Sequence, residues 1–474
     1  MTDRWSTVND VHSRLNATRV ARIVCPKSVA EVRNVVRSAV GRPLAIAGGR
    51  HAMGGQQFAR GADLLDLTGL ADVFAFDAAR GEVEAGAGIT WPALIGWLHS
   101  AQQGTPEPWG IIQKQTGADR LTLGGALSCN AHGRVLDRAP IVADVAAFTL
   151  IDADGQVRRC SREENAELFR LVIGGYGLFG PIVSVRLRLA PRRKVRREVA
   201  LINVDEVVAT LEARAAERCR YGDFQFAIDP ASDDFLRQGI CSVYRPVADE
   251  TPIPPGQRVL SRADWEALFL LSHTDPRRAS DAYTRHYLAT DGQIYWSDSH
   301  QLADYHDGYH DALDRRLRAS HPGSEMISEL YVPRHDLPRF MADVAADVRR
   351  HGARVIYGTV RLIERDDESF LAWARQPWAC VVFNLHVDHT PAGIACAVAA
   401  CRLLIDRALD LGGSFYLTYH RWATRRQVET AYPQLPAFLA EKLRHDPEER
   451  FQSEWYRHYR ELFCPEAPSA GKRS

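Results

Sequence analysis

Nowhere do the 474 residues reach the roughly 18 consecutive apolar positions that a membrane-crossing helix requires. The opening stretch, MTDRWSTVNDVHSRLNATRV, has neither an apolar run nor a cleavage-type sequence, so no integral membrane segment and a cytoplasmic location are expected. Charge of one sign is also missing. The 59 basic and 59 acidic residues cancel, and no basic excess points to a nucleic-acid partner. The nine cysteines contain no CxxC pair, and their odd, scattered distribution argues for reduced thiols and against a disulfide framework or zinc finger. A GxSxG elbow is lacking, which removes the most recognisable feature of a serine hydrolase. Internal repeats and extended low-complexity segments are lacking too.

What remains is a soluble-type composition, 46% apolar and 25% charged, in a chain long enough for two domains and a large buried ligand. Short strands and helices alternate up to about Pro191. TRVARIVCP, RPLAIAGG, DLLDLTGL and GEVEAGAG read as strands, and SVAEVRNVVRSAV reads as an amphipathic helix capped by Ser28. WPALIGWLHSAQQ and SREENAELFRLVI read as further helices, VADVAAFTLIDADGQVRRC as two strands around Asp154-Gly155, and PIVSVRLRLAP as a strand. Beyond the charged RRKVRREV the character changes. Between residues 200 and 410, EMISELYVP, ARVIYGTVRLIE and WACVVFNLHV predict an antiparallel sheet with helices over one face.

Three glycine-rich stretches carry the chemistry. AGGRHAMGG follows an apolar strand, and its successive amides can form an anion-binding nest. Arg50 would add positive charge there and keep His51 neutral and nucleophilic. TLGGALSCNAHG reads as a second glycine turn, carrying Asn130 and His132. GGYGLFG has GxGxxG spacing at Gly175, Gly177 and Gly180, but it follows a helix and opens a strand. That order is the reverse of a Rossmann fingerprint, so a tight turn is expected. In IYWSDSHQLADYHDGYH, His306 and His310 stand four apart after His300, yet no glutamate of the HExxH type lies between them. A polar helix face or pocket wall is the expectation, with no metal.

The order GGRHAMGG, GAGITW, TLGGALSCNAHG and ENAELFRLVIGGYGLFGPIVSVRLRL resembles the flavin domain of the vanillyl-alcohol oxidase and p-cresol methylhydroxylase (PCMH) superfamily. AYPQLPAFLAEKLRHDPEERFQSEW is similar to the tail of the sugar-lactone and alditol oxidases. GGALSCNAHG, GGYGLFGPI, WACVVF and GGSFYLTYHRW resemble decaprenylphosphoryl-ribose oxidase. The resemblance implies an α+β fold: a PCMH-type, two-subdomain FAD-binding domain over residues 1–195, an α+β substrate (cap) domain with an antiparallel sheet over 196–410, and a C-terminal segment, 411–474, returning to the FAD domain and active site. It implies that Gly48, Gly49, Arg50, Ala52, Met53, Gly117, Thr122, Gly124 and Gly125 cradle FAD, with Ile182 and Tyr416 against the flavin. In the alditol branch the loop histidine bonds covalently to the flavin, and in the ribose-oxidase branch it is absent. Because His51 is present, a covalent link through it is expected.

The same resemblance puts His132 near the reacting centre, Cys380 in the pocket facing the flavin and Glu329 in polar contact with the substrate. Tyr419 stands where the ribose oxidase has a substrate-binding lysine, which argues against a polyprenyl-phosphate substrate. The expected reaction is oxidation of a CH–OH group of a sugar-like, polyol or lactone/lactol substrate. His132, Tyr419 and His420, in falling order, are candidate bases, and Glu329, Asn384, Tyr419 and His420 offer polar contacts. Oxygen or a quinone-like molecule would take the electrons. The alternatives are a ribose-oxidase-like dehydrogenase using an acceptor other than oxygen and a non-catalytic flavin-binding module.

Overall fold

The computed structural model describes residues 5–39, 41–303 and 308–464; His306 lies outside them. The N-terminal part is built on two sheets. Strands Arg22–Val24, Asp63–Asp66 and Leu44–Ala47 form a parallel sheet with Asp63–Asp66 in the centre. Helix Val29–Ser38 links the two edge strands, Arg22–Val24 and Leu44–Ala47. It starts where Ser28 accepts a hydrogen bond from the Glu31 amide. Val32 and Val36, one turn apart, pack with Leu44, Leu65 and Ile151, and each buried valine contributes about 1.5–3 kcal/mol of hydrophobic stabilisation.

The second sheet is antiparallel, in the order Val157–Ser161, Val145–Ile151, Ile182–Arg188, Glu82–Gly86, Val73–Asp77. The GGYGLFG segment feeds its central strand as the tight turn expected. Gly174, Gly177 and Gly180 have φ of +75°, +75° and +137°, conformations that disfavour a Cβ.

TLGGALSCNAHG corrects the expectation of a turn. Residues Leu123–Cys129 form a short helix whose N-cap, Thr122, accepts from the Gly125 amide. Its glycines serve packing. A Cβ on Gly124 would stand 2.8 Å from the Cβ of Ala87, so only glycine lets the helix lie against the strand end that carries Ala87. Asn130 then takes φ +51° and ends the helix.

From Lys194 onward the chain builds one antiparallel sheet of eight strands: Ile294–Trp296, Lys194–Asn203, Gln238–Pro246, Tyr221–Phe226, Val355–Ile363, Trp378–Asp388, Gly323–Pro333 and Ser414–Phe415. Strand alternation sorts its side chains onto two faces. Phe226, Phe383 and Leu330 belong to the apolar face, where helices Val204–Ala216, Leu337–His351 and Pro391–Asp410 pack. Asp223, Gln225, Tyr357, Thr359, Arg361, Asn384, Glu325 and Glu329 belong to the other.

The expectation of helices over one face is therefore incomplete. Helices Arg262–Thr274, Pro276–Leu288 and Tyr309–Leu317 cover part of the polar face, drawn there by contacts such as Tyr283 with Gln225 and His310 with Glu325. After Phe415 the chain returns to the N-terminal sheets. Leu44 bonds the backbone of Arg450 and Gln452, and Phe58 accepts from the Glu454 amide.

Candidate active site

A cavity of about 630 Å³ lies between the N-terminal sheets and the polar face of the eight-stranded sheet, within the range of cofactor and ligand sites. One wall is the loop after strand Leu44–Ala47. Gly48 and Gly49 approach the next segment so closely that a Cβ on the first would stand 2.1 Å from Thr122 Oγ1, and one on the second 2.3 Å from the Arg120 carbonyl oxygen. Tyr176, Gly177, Gly180 and Ile182 continue the wall. The C-terminal segment closes it: Met53 N bonds the Thr418 carbonyl, and Gln56 Nε2 the Leu417 carbonyl. Gly48, Gly49, Arg50, His51, Ala52, Met53, Gly117, Thr122, Gly124, Gly125, Ile182 and Tyr416 all line this one space, although they come from four separate stretches of chain.

Two details of the first loop differ from expectation. The Arg50 guanidinium is 2.8 Å from Asp66 Oδ2, so its charge is paired with that carboxylate. The neighbour of His51 is His12, whose Nε2 lies 2.8 Å from His51 Nδ1. Burial, helped by the charge of His310, lowers the pKa of His12 to about 4. Nothing in the sequence around His12 marks it; only the fold brings it to the loop.

The reacting-centre candidates gather on the opposite wall. Glu329, on strand Gly323–Pro333, is buried. Its Oε1 is 2.7 Å from His132 Nε2 and accepts from the Tyr331 hydroxyl at 2.6 Å; its Oε2 accepts from the Tyr419 hydroxyl at 3.0 Å. Burial alone would raise this carboxyl, but the charge and hydrogen bond of His132, the Tyr331 hydrogen bond and the Arg361 charge bring it down to about 2. Tyr419 moves the other way, held far above the usual phenol value by burial and by Glu329. His132 is fixed at both ring nitrogens, since Nδ1 is 3.0 Å from the Gly133 carbonyl oxygen. That oxygen can only accept, so Nδ1 carries a proton and Nε2 faces the carboxylate.

His132, Glu329, Tyr419 and Asn384 line the cavity; Cys380 and His420 do not. Cys380 is fully buried behind Glu329, 3.4 Å from Oε1, and burial followed by the Glu329 charge raises its thiol well above the ordinary value. It packs as a small apolar side chain instead of facing a ligand. His420 stacks on Trp422, ring centroids 4.0 Å apart, and burial lowers its pKa to about 4. Cys380 leaves its strand on the same face as Arg361 and Asn384, so it meets Glu329 and His132 but is covered by them and does not reach the cavity surface.

Sequence reasoning missed Arg361, Thr359, Tyr357 and Gln57, which also line the cavity. Asn384 Oδ1, Thr359 Oγ1, Gln57 Oε1 and Arg361 Nε are buried without a hydrogen-bond partner among the described residues. Buried polar atoms on a cavity wall call for a polar occupant, and a glycine-lined cradle continuous with them fits a large flavin nucleotide.

The comparisons agree. The model of an FAD binding domain matches residues 20–161, a range containing both glycine loops. An uncharacterized oxidoreductase of the fasciation locus of Rhodococcoides fascians is 26% identical over 408 residues, covering 83% of each chain. Cytokinin dehydrogenase 2 of Arabidopsis thaliana is 30% identical over 36% of this chain, and cytokinin dehydrogenase 4 of Oryza sativa subsp. japonica 31% over 39%. The matched stretches span 34% and 36% of the length of those two dehydrogenases. No helix among the described residues is long and apolar enough to cross a membrane. With its FAD-binding domain, its glycine-lined cradle and these relatives, the chain is an FAD-dependent oxidoreductase, and its FAD-binding domain over residues 20–161 is of the PCMH type.

Proposed function

We propose that the protein oxidises a CH–OH group of a sugar-like, polyol or lactol substrate and passes the electrons to oxygen or a quinone-like acceptor. The reading rests on one observation above others: Glu329, an ionised buried carboxylate, accepts the Tyr419 hydroxyl on the wall of the FAD-bearing cavity. When bound, the flavin supplies the two-electron acceptor. The protein's part is to hold the carbinol and remove its hydroxyl proton. Tyr419 is suited to this because its oxygen can accept the substrate proton as its own moves to Glu329 Oε2, so that no free phenolate forms. His132, with Nδ1 committed to Gly133, shares its other proton with Glu329 Oε1 and positions the carboxylate. This ordering transfers the role of base from His132, the first candidate by sequence, to the Tyr419–Glu329 pair.

Asn384, Thr359 and Arg361 bring unpartnered polar atoms to the same wall, a set suited to several hydroxyl groups and wasteful for an apolar substrate. On the opposite wall, we propose that His51 carries the flavin covalently, with His12 as its neutral neighbour. The three-part division at about residues 195 and 410 follows the same reading, the C-terminal part contributing Tyr416 and Tyr419 to the site.

A second reading, a cytokinin as the electron donor, is favoured by the names of the plant relatives. The two are separated by mixing the yellow protein anaerobically with a panel of polyols, lactols and a cytokinin while following the flavin band. Bleaching by a polyol or lactol supports the first reading and bleaching by the cytokinin alone the second. A band that no member bleaches overturns both and leaves a flavin-binding module without turnover. Oxygen uptake with peroxide formation then distinguishes oxidase from dehydrogenase.

A further inference from the structure

Four residues before Glu329, and so on the same face of the strand about 13 Å away, a second buried carboxylate is ringed by imidazoles. Glu325 Oε1 has His273 Nε2 at 3.3 Å and His386 Nδ1 at 3.7 Å; its Oε2 has His310 Nδ1 at 2.9 Å and accepts from the Tyr309 hydroxyl. The side chains of His273, Glu325 and His386 are 1%, 4% and 5% exposed. Despite that burial, His273 Nε2, His386 Nδ1 and Glu325 Oε1 make no hydrogen bond among the described residues, although all three lie within 4.8 Å of one another.

An ion-pair network explains this poorly. A closed site cannot hold three imidazolium ions around one carboxylate, because the excess positive charge would be buried without compensation. Neutral rings would leave the converging atoms unsatisfied, at a cost that native interiors avoid. We propose that these three atoms bind a divalent cation of the zinc class, with the fourth position taken by water or a ligand from the cavity.

Two imidazole nitrogens and one carboxylate oxygen are a donor set that zinc accepts. Ligands about 2.0–2.2 Å from a tetrahedral zinc stand roughly 3.3–3.5 Å apart, and the two separations from Oε1, 3.3 and 3.7 Å, lie within a few tenths of an ångström of that. The outer partners also fit. His386 Nε2 is 3.2 Å from Asp388 Oδ1, which would fix the ring with Nδ1 turned inward, the pairing that orients metal-bound histidines. His310 holds the second oxygen of Glu325 in the same way.

Glu325 and His386 are register partners on adjacent strands, whereas His273 comes from helix Arg262–Thr274. The ion would therefore pin that helix to the sheet at the end of the cavity lined by Glu325 and His310. The pattern IYWSDSHQLADYHDGYH gave no expectation of metal because it supplies only an outer partner; the three ligands lie on other elements.

The test uses the whole flavin-loaded protein, and its first readout needs no variant. Anomalous diffraction from crystals grown with zinc should place one ion between His273, Glu325 and His386. Metal-depleted protein given Co(II) should show the intense visible absorption of a four-coordinate ion, and zinc should raise the melting temperature of depleted protein. Glu325→Gln and His386→Asn should lose both effects while keeping the yellow flavin, which reports that the variants fold. An anomalous peak elsewhere, or none, overturns the site, as would an undiminished cobalt spectrum in yellow variants. This readout does not depend on substrate, so it stands or falls separately from the oxidation proposed above.

Discussion

The Tyr419 hydroxyl donates to Oε2 of Glu329 across 3.0 Å while His132 Nε2 stands 2.7 Å from the other oxygen, so a phenol and an imidazole are tied to opposite ends of one buried carboxylate. If the phenol relays the substrate proton, Tyr419→Phe removes the acceptor without altering the flavin cradle. Flavin reduction by a good substrate should then slow by about 10²–10⁴-fold, with the absorption spectrum and FAD content unchanged. Rapid-mixing spectroscopy reads this directly. A variant with a raised KM and an unaltered reduction rate would reduce Tyr419 to a binding contact.

Glu329→Gln should lower the reduction rate to a similar degree for a different reason. The amide keeps the shape but cannot take a proton, and its NH2 group faces either Tyr419 or His132 with a donor where both now supply one. The variant separates the two members of the pair. His132→Asn, which leaves the carboxylate in place, should slow reduction less than either.

Covalent attachment is a separate matter. His51 lines the cavity, is buried and has His12 Nε2 at 2.8 Å from its Nδ1. Precipitating the purified protein with acid should leave the yellow colour in the pellet, and His51→Ala should release it to the supernatant. His12→Asn should give a mixture of the two. Free FAD in the supernatant of the unaltered protein would dispose of the link while leaving the binding site intact.

Much of the flavin half was legible because its signals are local. Ser28 caps the helix it was expected to cap, and three of the four glycines of GGYGLFG, Gly174, Gly177 and Gly180, take the positive φ that their turn demands. Short-range chemistry was also where errors began. TLGGALSCNAHG has the composition of a turn but folds as a helix, because Thr122 caps it and its glycines serve close approach to Ala87. Helix Ala166–Val172 starts later than SREENAELFRLVI suggested, since Ser161 uses its hydroxyl on the amides of Glu163 and Glu164 instead. The opposite wall of the cavity was only half legible. Glu329 and Tyr419 come together through strand pairing between Gly323–Pro333 and Ser414–Phe415, 90 residues apart in the chain. His12 and Arg361 reach the cavity from stretches that carry no motif at all.

Acid stability follows from His12. Its folded pKa of about 4 lies below the unfolded value of about 6.5, so between these limits the unfolded chain binds the extra proton. Stability therefore falls as the pH drops from 6.5 towards 4 and levels off below, a loss of about 3 kcal/mol for this one group. His420, lowered to about 4 as well, contributes in the same direction. Urea unfolding at several pH values across that window should show the slope, and His12→Asn should make it shallower. An unchanged slope would mean that His12 is protonated in the folded protein.

The two glycines of the first loop make a stricter test of the cradle because their neighbours differ in kind. A Cβ on Gly48 meets a side chain, Thr122 Oγ1 at 2.1 Å, whereas one on Gly49 meets backbone, the Arg120 carbonyl oxygen at 2.3 Å. Both Gly48→Ala and Gly49→Ala should weaken FAD retention, since each forces the loop and the segment before helix Leu123–Cys129 apart. Only the first has a removable obstacle. Adding Thr122→Ala to Gly48→Ala clears the hydroxyl at the cost of the helix cap, about 1 kcal/mol, and should restore most of the flavin content. The same addition to Gly49→Ala should restore none, because the opposing carbonyl is part of the main chain. Flavin-to-protein absorbance ratios after gel filtration measure all four variants. Rescue of both glycine variants, or of neither, would show that the loops are held apart by something other than these two contacts.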